Sequence, residues 1–475
     1  WRAASRRSAA SPEAAVPAAL DAPAAAAGVP ASAASQPSES GAASCATPVS
    51  SEYVPVQNSD ATYTPDFNVG STAALLMSLD TGTVLYSKNA DQKMYPASTT
   101  KIMTYMVVMD HVTNVDTETV TYTEEMESVI EGTGSSVAGM EVGDVFTVHQ
   151  LLYCMMVPSG NDAAVMLASY VGNGDLDAFV QMMNDKAAEL GCENTHFANP
   201  DGLHDPDHYT TARDMAKITQ AALSYNYFQE IVNTTTYYAT PQNRPDVSRM
   251  LSTTNYLIDR NQQGQQYWYQ YARGVKTGHT DEAGHCLVST AVAEGQSYLC
   301  VVMGDFTGNR CDMTDTRSLY RWAYRNFQLK KVASANMPVG EVKLAYAWNQ
   351  DTLQYEPETD VSAVLPNDVA ASSVVLTPSL PDEVEAPVQK GQVIGTATLM
   401  YANQTLATVN LVASESVERS QVVYSANTIG EILTSPWFIL IGSVILLLVV
   451  IYIILALIYS RNKRNMKKVK KYKDF

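Results

Sequence analysis

A chain of 475 residues, 46% of them apolar, has room for two or more domains and can bury a full core. The net charge of −18 is uneven: residues 460–475 carry eight Lys/Arg against Asp474, a local +7 that leaves the rest at −25. A body so acidic argues against nucleic acid as a partner, and it leaves the sign of any local pocket open.

Residues 1–60 are dominated by Ala, Ser and Pro without apolar periodicity, a composition that cannot offset ordering entropy and reads as a disordered leader or linker. The chain opens without Met, and Arg2, Arg6 and Arg7 precede an alanine-rich stretch broken by Pro, Glu and Asp, a poor signal-peptide core. Either a signal has been removed or the true start lies elsewhere. Cys45 follows no long apolar run, so it reads as a linker cysteine rather than a lipidation site.

Residues 73–79 form a short apolar run ending at Asp80-Thr81-Gly82-Thr83, and 84–87 follow as a second strand, a hairpin by turn chemistry. Pro96 suits the entrance of a helix, so Ser98 falls in the first turn, ahead of Ile102, Met103, Tyr105, Met106 and Val107. Gly132-Thr133-Gly134-Ser135-Ser136 superficially suggests a phosphate loop, but no Gly-Lys-Ser/Thr completes it, and a turn is expected.

Residues 150–171 and 176–190 read as helices, the second with Phe179, Met182, Met183 and Ala187 at core spacing. A helix is expected over 211–223, an extended segment over 234–240 and an exposed loop over 261–271. Two apolar runs within 287–302 flank Glu294-Gly295-Gln296 as a hairpin. Residues 312–327 read as a helix with Leu319, Trp322, Ala323 and Phe327 on one side. Strands at both ends with helices between imply an α/β unit over 61–332, its sheet completed by distant segments.

The texture then changes. Residues 342–348, 373–376 and 395–401 are short strand candidates, and Asn403-Gln404 joins the last to 406–412, giving a small all-β domain over 335–415 and a linker over 416–436. Residues 437–459 are uncharged and apolar, about 34 Å as a helix, enough for a hydrocarbon core. Trp437, Tyr452, Tyr459 and the basic tail 460–475 complete the pattern of a single membrane pass. Positive-inside logic puts the tail in the cytoplasm and everything before Pro436 outside the cell.

The six cysteines, Cys45, Cys154, Cys192, Cys286, Cys300 and Cys311, form no C-x-x-C pair, and a domain of this size needs no staples. Cys154 is expected to pack as a small hydrophobe. Cys286 and Cys300 flank a hairpin and could pair across it, which the sequence leaves open.

Lys101 lies three residues after Ser98, on the same helix face. A serine hydroxyl becomes a nucleophile when a neighbour takes its proton, and a lysine whose pKa is lowered by burial or nearby positive charge can do so. S-x-x-K alone is common and fits an ordinary capped helix. Two further motifs follow it, Ser159-Gly160-Asn161 after an apolar run and Lys276-Thr277-Gly278 after Gly274-Val275. Their order and spacing match the three-part signature of penicillin-interacting serine enzymes.

The phrase from Leu151 to Ala164 resembles the D-alanyl-D-alanine carboxypeptidases, the low-molecular-mass penicillin-binding proteins. So do Asn199-Pro200-Asp201-Gly202-Leu203, His208-Tyr209-Thr210-Thr211-Ala212 and Lys276 to Gly284. The likeness spans about residues 60–415. It implies the penicillin-binding/β-lactamase-like transpeptidase fold: an antiparallel sheet flanked by helices, a helical lobe carrying S-G-N, and a C-terminal β module. Many members attach by an amphipathic helix; this sequence departs by spanning.

The resemblance also implies roles. Ser98 would attack the carbonyl between two terminal D-alanines of a peptidoglycan stem peptide, with Lys101 as general base, Ser159 relaying a proton and Asn161 orienting Lys101 or the substrate amide. Lys276 would favour a neutral Lys101 and hold the terminal carboxylate with Thr277. Gly278 belongs to the same strand, and the N–H groups of Ser98 and His279 would form the oxyanion hole. Apart from these roles, Arg310 is a candidate extra carboxylate anchor, for which spacing gives weak support. β-Lactam antibiotics would acylate the same serine, and no cofactor is called for.

His204 and His208, with Asp205 and Asp207 between them, invite a metal reading, but the phrase fits the family's structural loop and no third ligand is evident. Alternatives on the same fold are a D,D-transpeptidase or endopeptidase, and a β-lactamase, which needs a deacylating glutamate in an S-D-N context. Glu189 and Glu193 sit in no such phrase. A non-catalytic peptidoglycan-binding module would not be labelled by a fluorescent penicillin.

Overall fold

Two hairpins far apart in the chain meet to make one sheet in a computed structural model that describes residues 63–261, 263–402 and 404–472. The leader 1–60 with Cys45 lies outside these residues, as does Asn403. Ala73–Ser78 pairs with Val84–Lys88, and Gly284–Ala293 pairs with Gln296–Asp305. Only Glu294 and Gly295 join the latter two strands, both with positive φ (53° and 75°), the backbone that a two-residue hairpin turn needs. Ala73–Ser78 then pairs with Gln296–Asp305, and Ala272–Thr280 adds an outer strand beside Gly284–Ala293, giving a five-stranded antiparallel sheet.

Period-two alternation divides the core. Leu75, Val301 and Val288 face one cluster, which includes Ile102, Met103 and Met106 of the helix Lys101–His111. Leu76, Val302 and Leu287 face the other, with Leu319, Tyr320 and Ala323 of the helix Cys311–Asn326. The sheet is thus covered on both faces, and a fully buried Leu such as Leu75 contributes about 2 kcal/mol by area. Cys300 stands opposite Ser289 and Cys286 opposite Gly278, so the two do not pair; both are free and buried, as are Cys154 and Cys192.

The helix expected over 150–171 is two helices, Val148–Met156 and Asn161–Val171. Pro158 cannot donate to a helix, Ser159 takes φ of 68°, and Gly160 caps the second helix, so the chain turns sharply at this motif. The first of the pair starts at a capping box, Thr147 with Gln150. Residues 176–190 and 211–223 form helices as expected, Leu176–Glu189 and Ala212–Ala222. The extended segment expected over 234–240 is the strand Thr236–Ala239, which pairs with Arg249–Ser252; a second short pair, Thr119–Thr121 with Val145–Thr147, is additional. The loop 261–271 is less exposed than its polarity suggests, because Tyr269 is buried and stacks on Tyr320 at 6.0 Å.

Phe327, expected to close a helix, opens the strand Phe327–Ala333, which pairs with Val361–Pro366. Beyond it lies a six-stranded sheet built on Val393–Tyr401 and Gln404–Ala413. The strand expected over 342–348 is Gly340–Ala345; Trp348 falls in the following turn and is exposed. The linker expected over 416–436 contains the helix Gln421–Thr434. Among the described residues one helix, over Pro436–Arg464, is long and apolar enough to cross a membrane, and it is a candidate anchor.

Candidate active site

Ser98 lies in the tight turn Ala97–Thr100 that leads into Lys101–His111. Ala97 has φ of 48°, a strained value for a residue with a side chain. Two glycines let other segments close on this turn. A Cβ on Gly278 would sit 2.8 Å from Pro96 O and 3.0 Å from Ser98 N. One on Gly202 would sit 1.9 Å from Ala97 O, and Gly202 also has φ of 89°. Neither position tolerates a side chain without moving the turn that carries Ser98.

Lys101 is fully buried, and its Nζ donates to Ser98 Oγ at 2.9 Å, Asn161 Oδ1 at 2.7 Å and the Asp201 carbonyl at 2.7 Å. Burial holds its pKa down to about 8, against the opposing pull of Asp201 and Asp162. Lys276 is buried as well, with Nζ donating to Thr277 O at 2.9 Å, and burial followed by repulsion from Lys101 holds its pKa well below the usual lysine value. Burial, rather than the charge of Lys276, is therefore the leading cause of the lowered Lys101 pKa.

A cleft of about 520 Å³ opens over this arrangement, lined by Ser98, Ser159, Asn161, Thr277, Gly278, His279 and Arg310. All nine residues singled out from the sequence come together here, except that Lys101 and Lys276 lie behind the lining rather than in it. Ala272–Thr280 is an outer strand of the sheet, so one edge of its backbone is free to face the cleft. Arg310 is held by Asp312, and its guanidinium lies 5.2 Å from the Tyr256 ring centroid.

Sequence reasoning missed part of the lining. Thr254 and Tyr256 reach the cleft from a loop with no catalytic signature, and the Thr254 and Thr277 hydroxyls share a hydrogen bond. Thr133, Gly134, Ser135 and Ser136, read only as a turn, form its rim. The Asp201 carbonyl and Gly202 act through the backbone, and the turn phrase Asn199-Pro200-Asp201-Gly202 was their one visible signal.

His208 is a support. Its Nδ1 accepts from Ala198 N–H at 3.1 Å, so Nε2 carries the proton toward Thr100 Oγ1 at 2.7 Å. Burial holds its pKa down to about 3. Both ring nitrogens are thereby occupied, tying Thr100 of the Ser98 turn to the segment at Ala198. Cys154 is packed in the core, where burial pushes its thiol pKa up.

The family described as D-alanyl-D-alanine carboxypeptidase matches residues 58–307, and the penicillin-binding protein 5 C-terminal domain matches 327–419. D-alanyl-D-alanine carboxypeptidase DacF of Bacillus subtilis is 30% identical over 360 residues, covering 76% of this chain and 89% of its own. Penicillin-binding protein 5 of Haemophilus influenzae superposes with a TM-score of 0.62 at 28% identity, over 75% of this chain and all of that one. The DD-transpeptidase of Streptomyces K15 gives 0.50 at 32% identity, over 56% of this chain and all of that one.

Proposed function

The chain belongs to the D-alanyl-D-alanine carboxypeptidase family, and from that premise we propose that it removes the terminal D-alanine from peptidoglycan stem pentapeptides through an ester on Ser98. The observation that carries this is the Lys101 Nζ, set among Ser98 Oγ, Asn161 Oδ1 and Asp201 O. In its neutral form this amine keeps two donors for Asn161 and Asp201 and aims its lone pair at the serine hydroxyl.

Lys101 takes the Ser98 proton as Oγ attacks the carbonyl carbon between the two D-alanines. The developing oxyanion is received by the N–H groups of Ser98 and His279, an arrangement generally worth about 3 kcal/mol per donor. The C–N bond then breaks, and the leaving amine takes a proton through Ser159. Free D-alanine departs, and water attacks the remaining ester to restore Ser98. Thr277 and Arg310 offer donors for the terminal carboxylate, and the buried Lys276 Nζ, donating to Thr277 O, braces Thr277 from beneath. A β-lactam would open on the same serine.

A D,D-transpeptidase is the second reading, favoured by the K15 relative, because both reactions share the acyl-serine. A β-lactamase is disfavoured: the cleft lining contains no glutamate, and Asp281 is its one carboxylate. The test incubates the protein with a fluorescent penicillin, and separately with a D-Ala-D-Ala pentapeptide with and without an amine acceptor. Stoichiometric label, lost in Ser98→Ala, with tetrapeptide and D-alanine dominating both mixtures, is expected. Rapid label turnover would mean a lactamase, mostly cross-linked product a transpeptidase, and no label a binding module.

A further inference from the structure

We propose that Asp312 is a positioning residue for substrate recognition, fixing the Arg310 guanidinium so that one fork of its N–H groups receives the substrate's terminal carboxylate. This rests on the reading of Arg310 as a carboxylate anchor and deepens it. Arg310 Nε and Nη2 donate to Asp312 Oδ1 and Oδ2, each at 2.9 Å. The Asp312 side chain is fully buried, whereas Arg310 lines the cleft and stays 22% exposed.

A guanidinium has five N–H donors, and Asp312 takes one from Nε and one from Nη2. What remains is the end formed by Nη1 and the other Nη2 hydrogen, a planar fork that matches a second carboxylate. Rotation of this fork is opposed from several sides. Arg310 sits at φ 54° at the entrance of the helix Cys311–Asn326, and its guanidinium packs on Tyr256. Asp312 is itself fixed, its N–H donating to Asp305 Oδ2 at 3.2 Å and its carbonyl accepting from Thr316 Oγ1 at 2.7 Å. A flexible surface arginine would have to be ordered by each substrate, while this one is ordered beforehand.

The same contact is made in ground and transition states, so its loss should appear in KM rather than kcat. The experiment compares two acyl donors on the full chain, with active enzyme counted by saturating penicillin. One is a D-Ala-D-Ala peptide; the other is an N-acyl-D-alanine p-nitrophenyl ester, which has no terminal carboxylate. Asp312→Asn is expected to raise KM for the peptide about tenfold with kcat within about twofold, and to leave ester turnover unchanged. Asp312→Glu keeps the buried charge but displaces the guanidinium, and serves if the Asn variant does not fold; the same split is expected.

Equal losses on both substrates, or no loss on the peptide, would overturn the proposal. Arg310→Ala separates the two levels of the argument. If it too spares the peptide's KM, the reading of Arg310 as an anchor falls. If it raises that KM while the Asp312 variants do not, only the role of Asp312 falls.

Discussion

The chemistry at Lys101 follows from where its amine is held. With a pKa of about 8 instead of 10.5, about one part in ten is neutral at pH 7, against about one in three thousand for an exposed lysine. The neutral form is the base, and it gains population as pH rises through the pKa. The kcat/KM for D-alanine release should therefore climb with pH and level off above about 8. A flat profile from pH 6 to 9 would exclude Lys101 as the group that titrates. Lys101→Ala should lower D-alanine release about a hundredfold or more, and a loss under tenfold, about 1.4 kcal/mol, would remove it from the base role. Gly202 is a steric counterpart. Gly202→Ala would drive a methyl into Ala97 O at 1.9 Å, so penicillin acylation of the folded variant should slow by at least about tenfold, measured by stopped labelling. A rate near that of the parent would show that the Ser98 turn shifts without cost.

At the scale of elements, the rim of the cleft hangs on one side chain. Asp162 is buried, and it accepts from Ala138 N at 2.9 Å, Gly139 N at 2.9 Å and Met140 N at 3.2 Å. Next to it, Asn161 N donates to Ser136 O at 2.8 Å. The helix that presents Asn161 to Lys101 thus also pins the segment carrying Thr133 to Ser136. Asp162→Ala would leave three loop N–H groups without an acceptor, a loss of about 3 kcal/mol, or about 6–12 °C in Tm for a domain of this size. Peptide KM should rise with it, and residues 132–137 should become open to protease; an unchanged melting curve would refute the coupling. The rim shows what was legible in the sequence and what was not. Ser98, Ser159 and Lys276 announce themselves because each motif is local. The rim, Thr254 and Tyr256 reach the cleft only through pairings over long separations, which no local pattern encodes. The break at Pro158 was legible as a proline in a helical run, yet the apolar periodicity on both sides masked it. Hairpins at 73–88 and 284–305 could be read from turn chemistry, and strands at both ends implied a sheet completed by distant segments, but that Ala73–Ser78 lies against Gln296–Asp305 could not be read.

The whole molecule places this cleft on a unit followed by a β module and an apolar helix. The helix Cys311–Asn326 passes into the strand Phe327–Ala333 without a linker, and the match to the C-terminal domain family ends at residue 419, where Ser420 N still donates to Tyr346 O at 2.7 Å. Every cleft residue precedes that point. A chain ending at Ser420 should therefore leave the membrane fraction and keep its kcat on the pentapeptide within about twofold, since no transition-state contact is removed. If it stayed with the membrane, the apolar helix would not be its only anchor. The orientation is a separate matter of charge. Eight Lys/Arg follow the span between Arg461 and Lys473, and moving such a cluster across a bilayer is far costlier than retaining it. The tail is thus expected inside and the cleft outside, where stem peptides are. Trypsin, which cuts after Lys and Arg, reads this directly: the tail should be cut in inside-out vesicles and protected in sealed right-side-out ones, while a membrane-impermeant penicillin labels Ser98 only in the latter. Tail cleavage from the outer face would reverse the topology and part the enzyme from its substrate.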